Sequence, residues 1–71
     1  MTPALFSKIG EALYGPSWRA ALADKLGVSE KSVRRWANGI YRIPEELPAE
    51  LSKLCREHSE KLATIADQLS R

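Results

Sequence analysis

Only three residues, 27–29, separate two segments whose apolar residues repeat at helical spacing. A connection this short forces two consecutive helices to cross at a steep angle. Gly27 permits the positive φ that a sharp turn after a helix requires. Ser29 is a favoured N-cap for the helix that follows. The short gap therefore predicts two short helices, over residues 18–26 and 30–37, joined by a tight turn.

Residues typical of helix starts and ends also divide the rest of the chain into helices. The pair Thr2-Pro3 is typical of a helix start, and Gly15-Pro16 of its end. Ser17 is the expected cap of the second helix, and residues 40–47 are expected to form a loop because two prolines lie close together. No strand pattern occurs, so the prediction is an all-α fold, a bundle of four to five helices with a long C-terminal helix. That last helix carries an apolar stripe with a period near 3.6 residues, made of Leu51, Leu54, Cys55, His58, Leu62, Ile65 and Leu69.

Several conspicuous side chains are more simply assigned to packing than to chemistry. Trp36 is expected in the core. Trp18 lies on the apolar face of the second helix with Leu22, but it begins that helix and is expected to be half exposed. Cys55 is expected to be a small core residue, and His58 a packed histidine. With one Cys and one His, the chain forms neither an internal disulfide nor a four-ligand zinc site. No catalytic triad, glycine-rich phosphate loop or carboxylate pair is recognisable, so we expect no enzyme activity, no metal and no cofactor.

Length and composition favour one small folded domain. The chain has 71 residues, of which 44% are hydrophobic and 28% charged, an ordinary balance for a globular protein. No apolar run approaches the ~20 residues that span a bilayer, so we expect a cytoplasmic protein with no membrane contact. A fold of this size has a small core and is marginally stable alone, which favours association with a partner.

Charge is distributed unevenly along the chain. The net charge is only +2, but residues 17–43 contain six basic side chains against two acidic ones. Residues 44–71 contain four basic side chains against six acidic ones. A basic middle followed by an acidic C-terminal third suggests one face that binds a polyanion and another that faces away.

The run Leu22-Ala-Asp-Lys-Leu-Gly-Val-Ser29, followed by Val33, Trp36 and Asn38-Gly39, resembles the helix-turn-helix regulators similar to the phage lambda repressor and Cro. The match is strong over residues 19–39 and looser over residues 5–56. The resemblance implies a lambda-repressor-like DNA-binding domain at residues 1–56 with a C-terminal helical extension at residues 57–71, within one domain. It also implies that the helix after the turn enters the major groove of double-stranded DNA.

The resemblance also assigns roles to individual residues. Asn38 corresponds to an asparagine that contacts phosphate in the family, although it also suits a helix end. Glu30 either accepts from a cytosine amine or pairs with Arg34, its neighbour one turn later. Base reading is expected from the recognition-helix residues Glu30, Lys31, Arg34 and Arg35, of which the basic ones suit guanine O6 and N7. Contacts with the DNA backbone are expected from Ser17, Arg19, Ser29, Ser32, Asn38 and Arg42, with Lys8 and Tyr41 as secondary candidates.

The C-terminal stripe extends beyond what a bundle of about 55 residues covers. Either residues 59–70 fold back as a fifth helix against the first, or Leu62, Ile65 and Leu69 form the seam of a homodimer. We favour the dimer, because an operator with two-fold symmetry requires two recognition helices.

The predicted function is that of a dimeric, sequence-specific transcriptional regulator that binds a palindromic operator. An autorepressor of phage or mobile-element type, which blocks a promoter and needs no small-molecule ligand, is the simplest version. The alternative is an antitoxin-like or other interaction module whose C-terminal helix binds a partner protein. An RNA-binding function is less favoured, because no exposed aromatic platform is apparent.

Overall fold

The computed structural model of the protein describes residues 1–70, and within them all regular structure is helical. The elements are α1 (Pro3–Tyr14), a 3-10 helix (Gly15–Ser17), α2 (Trp18–Leu26), α3 (Glu30–Ala37) and α4 (Leu47–Leu69). The predicted all-α class and long C-terminal helix are confirmed.

Local capping chemistry explains where two of the four α-helices begin. The Thr2 hydroxyl accepts from the Leu5 N–H at 3.1 Å, and the Ser29 hydroxyl accepts from the Ser32 N–H at 3.2 Å, as the sequence predicts. Ser17 is different. It belongs to the 3-10 helix, and its side chain makes no capping hydrogen bond. The expected role of Ser17 as a side-chain cap is therefore wrong, because the chain enters α2 through a continuous helical turn.

The core lies between α1, α2, α3 and the start of α4. Phe6 is fully buried at its centre. Its ring makes edge-to-face contacts with Trp18 at 5.6 Å and with Trp36 at 6.1 Å, measured between ring centroids. Edge-to-face pairs are a preferred aromatic geometry and add to the stabilisation from burial. The cluster is completed by Leu22, Ala23, Val33, Leu47 and Leu51.

Trp18 is 1% exposed, so the expectation that it is half exposed is wrong. The 3-10 helix turns the chain so that the indole lies against α1. Gly10 lies directly beneath it, and a Cβ built on Gly10 would overlap the indole ring. The close approach of Trp18 to the α1 backbone therefore requires glycine at this position.

Helix α4 leaves the core after its first turns. Leu47 and Leu51 are buried and Leu54 packs on the core as a half-buried residue, but Cys55 is exposed. Cys55 is therefore not a core residue, contrary to expectation, whereas His58 is half-buried.

Residues 59–69 continue α4 without a break. A separate fifth helix folded against α1 is therefore not formed. The molecule is elongated, with principal extents of 47 × 22 × 21 Å. Arg71, the last residue of the predicted extension, lies outside the described residues.

Within residues 1–70, no helix combines the length and hydrophobicity needed to cross a lipid bilayer.

Candidate nucleic-acid interface

The turn between α2 and α3 has the tight geometry that its sequence predicts. Gly27 adopts the left-handed conformation, with φ 71° and ψ 30°. The Val28 N–H donates to the Ala23 carbonyl at 3.0 Å, which closes the end of α2. Ala23 and Val33 are buried on the two facing helices, so α3 is held firmly against α2. Val28, within the turn, is 36% exposed.

Helix α3 has one apolar side and one basic side. Val33 and Trp36 face the core, which directs Lys31, Arg34 and Arg35 away from it. Lys31 and Arg34 are exposed and Arg35 is half-buried. Three cations therefore project from two turns of one helix, and Glu30 is the only acidic residue of α3.

An open groove of about 470 Å³ runs between α3 and the segment that begins α2. The groove brings together five of the predicted site residues, which are distant in sequence but share this surface. Its lining is made of Pro16, Ser17, Arg19, Ala20, Glu30, Arg34 and Asn38. Lys31 and Arg35 are not part of this lining, so the predicted site divides into a groove and a separate outer strip of α3.

Within the groove, Glu30 is paired with Arg34. An Nη of Arg34 donates to a carboxylate oxygen of Glu30 at 3.2 Å, one helical turn away. Both side chains are about half exposed, and a surface pair of this kind is worth only about 0–1 kcal/mol. Of the two roles considered for Glu30, the free protein has the pairing with Arg34, which fixes the arginine on the groove side of the helix.

Arg35 is held by a different contact. Its guanidinium carbon lies 5.0 Å from the centroid of the Tyr41 ring, in a cation–π arrangement. Tyr41 is 52% exposed, so this contact lies at the surface. The sequence places Tyr41 only among secondary phosphate-binding candidates, and no spacing rule links it to Arg35 because it follows the helix end.

The remaining predicted backbone-binding residues lie at the edges of the interface. The Arg19 guanidinium carbon lies 4.9 Å from the centroid of the Trp18 ring, at the start of α2. Arg42 and Glu45 are both 89% exposed, with their charged atoms 3.8 Å apart. Ser29 and Ser32 are joined by a hydrogen bond of 3.1 Å between their hydroxyls. Of the two further cations, Arg19 lines the groove with α3 residues, and Arg42 lies in the segment that follows α3.

The predicted dimer residues lie far from this surface, on the projecting half of α4. Leu62, Ile65 and Leu69 are 55%, 50% and 81% exposed. Three large apolar side chains on one face of a helix are therefore in water in the single chain.

Comparison of the chain with protein-family models, with curated proteins and with solved structures found no significant match.

Proposed function

We propose that the protein is a sequence-specific, double-stranded DNA-binding transcriptional regulator that reads the major groove with α3. The observation that carries this proposal is the outward face of α3, which presents Lys31 and Arg35 on a helix fixed to α2 by a three-residue turn. A helix fits the major groove, and Arg and Lys side chains are the commonest donors to guanine O6 and N7. The proposed fold is the lambda-repressor-like arrangement, with α1 and the start of α4 completing the helix-turn-helix.

The two parts of the interface have different proposed roles. Lys31 and Arg35, on the outer strip of α3, read base edges. Ser17, Arg19 and Asn38 line the groove at the start of α2, where side-chain donors and a helix N-terminus suit a backbone phosphate. Phosphate contacts of this kind position the protein on the duplex, whereas base contacts give it specificity.

We further propose that two copies bind a palindromic site as a homodimer through Leu62, Ile65 and Leu69. The exposure of these three side chains supports the dimer, because apolar surface of this kind is usually covered by a partner. A dimer also supplies the second recognition helix that a two-fold operator requires. Occupying such a site blocks a promoter without any further domain.

The experiment that tests base reading begins with selection of binding sites from a pool of duplex DNA with a randomised core. The wild-type chain should enrich a palindromic sequence, in which two half-sites are related by two-fold symmetry. Arg35→Ala should weaken binding to that sequence by about 1–3 kcal/mol, and binding to unrelated duplex by much less, because a base contact is lost.

Arg42→Ala is the matched control, since it removes an equal charge from the edge of the interface. It should weaken binding to both duplexes by similar factors, because phosphates are the same in every sequence. Equal losses on both duplexes for Arg35→Ala would contradict the proposed recognition face. Failure of the wild-type chain to enrich any sequence would contradict the function itself.

The same exposed stripe also favours a second candidate function. An antitoxin-like or other interaction module would use Leu62, Ile65 and Leu69 to bind a different protein. The oligomeric state of the purified chain distinguishes the two candidates, because only a homodimer covers the stripe without a second kind of protein.

A further inference from the structure

We infer that Tyr41 is a positioning residue that holds the Arg35 guanidinium against its ring and leaves N–H donors of that guanidinium available to the DNA. The inference rests on the proposed function and adds a specificity-determining residue that lies outside the recognition helix. Three observations support it: the backbone hydrogen bonds around Tyr41, the different contacts of the two arginines, and the exposure of Tyr41.

The backbone ties Tyr41 to Arg35. After α3 ends, the N–H groups of Ile40 and Tyr41 both donate to the carbonyl of Arg35, at 3.0 and 3.4 Å. Gly39 makes this reversal with φ +74°, a conformation that side-chain-bearing residues rarely adopt. The loop is thereby folded back on the last turn of the helix, and the Tyr41 ring is brought to the Arg35 side chain by fixed backbone geometry.

The two neighbouring arginines are held in chemically different ways. Arg34 uses an N–H group to bind the Glu30 carboxylate, so part of its donor edge is occupied. The guanidinium carbon of Arg35 lies over the face of an aromatic ring, and this cation–π contact pairs none of its five N–H donors with a carboxylate. Of the two, only Arg34 has a donor occupied by a carboxylate, so Arg35 is the better suited to a two-bond contact with guanine O6 and N7.

The exposure of the ring argues against a purely structural role. Tyr41 is 52% exposed and does not belong to the core cluster around Phe6. Its contribution to folding is correspondingly small. A long arginine side chain loses rotamer freedom when it binds, and a side chain that is already ordered loses less. Tyr41 therefore favours binding by restricting Arg35 before the DNA arrives.

The first test concerns the free protein and requires no DNA. In the NMR spectrum of the wild-type chain, the Arg35 δ-methylene and Nε–H protons should be shifted upfield by the Tyr41 ring current. The shift should persist in Tyr41→Phe and disappear in Tyr41→Ala. Ordinary random-coil positions for these protons in the wild-type chain would overturn the inference.

The second test measures base preference on the duplex that the wild-type chain selects from the randomised pool. Tyr41→Ala should weaken binding to this duplex by about two- to fivefold, the range expected for a surface cation–π contact. It should also relax the preference at the same base pair at which Arg35→Ala relaxes it. Tyr41→Phe should leave both quantities unchanged, because the ring and not the hydroxyl is required. In the Arg35→Ala background, Tyr41→Ala should cause no further loss.

Three outcomes would overturn the inference while leaving the proposed function intact. One is unchanged base preference in Tyr41→Ala, and another is an equal loss in Tyr41→Phe, which would indicate a phosphate contact by the hydroxyl. The third is full additivity of Tyr41→Ala with Arg35→Ala. If the wild-type chain selects no sequence at all, both the inference and the proposed function fail.

Discussion

At the scale of single residues, Gly10 shows how one close contact can reverse an intrinsic preference. Glycine inside a helix costs about 1 kcal/mol relative to alanine, so propensity alone favours Gly10→Ala. A Cβ at this position overlaps the Trp18 indole, however, and Trp18 is enclosed by the core. Overpacking of a well-packed core costs about 1–3 kcal/mol, and we expect this steric term to prevail.

Gly10→Ala should therefore lower the free energy of unfolding by about 1–3 kcal/mol in urea denaturation. Lys8→Ala, an exposed substitution on the same helix, is the control and should stay within about 0.5 kcal/mol of wild type. A Gly10→Ala variant more stable than wild type would show that α1 and Trp18 do not pack as closely as described.

At the scale of elements, the sequence predicts where helices begin and end better than it predicts which side chains are buried. The caps at Thr2 and Ser29 and the left-handed Gly27 follow from local chemistry that a few neighbouring residues determine. The spacing of Trp18 from Leu22 places it on the apolar face of α2, but its complete burial depends on contact with α1 at Gly10. Cys55 fits the period of the apolar stripe, but periodicity does not reveal where α4 passes the edge of the core.

In the candidate site, too, some features follow from sequence spacing and others do not. The basic face of α3 is predictable, because the spacing of Val33 and Trp36 determines which residues point outward. The pairing of Glu30 with Arg34 follows from their spacing of one turn, and it was one of two alternatives. The contact of Tyr41 with Arg35 depends on the path of the loop after α3, which sequence periodicity does not describe.

The projecting half of α4 carries a prediction about assembly. If Ile65 lies in a homodimer seam, Ile65→Glu places one buried charge from each chain in an apolar contact. Burying an isoleucine is worth about 1.5–3 kcal/mol, so losing two should raise the dimer dissociation constant at least about a hundredfold. Sedimentation should show a folded monomer, with DNA affinity strongly reduced and helical content by circular dichroism little changed.

Ala63→Glu is the matched control for this substitution. It adds the same charge to the same helix on a different face, and it should leave the dimer intact. Monomeric wild-type protein would contradict the homodimer and favour a different protein as the partner of the stripe.

At the scale of the whole molecule, charge is segregated between the interface and α4. Lys31, Arg34 and Arg35 belong to α3 and Arg19 lines the groove beside it, whereas Lys25 lies near α4. Residues 44–71 carry a net negative charge. Binding through the basic surface displaces counterions from DNA. A dimer that makes about six to ten phosphate contacts should lose roughly 10³–10⁵ in affinity between 50 and 200 mM salt.

Fluorescence anisotropy with a labelled duplex measures this salt dependence directly. Arg42→Ala should reduce the slope of log affinity against log salt by about 1 for each bound subunit, because each subunit loses one phosphate contact. A nearly flat response for the wild-type chain would exclude the basic surface as the DNA-binding face.

The two tryptophans on either side of Phe6 give the protein a natural optical probe. Both indoles are almost completely shielded from water, and both contact the same phenyl ring. Their emission should be blue-shifted in the native state and move to the red in one step when the cluster opens. Neither indole belongs to the outer strip of α3, so intrinsic emission follows unfolding of α1, α2 and α3 together without an attached dye.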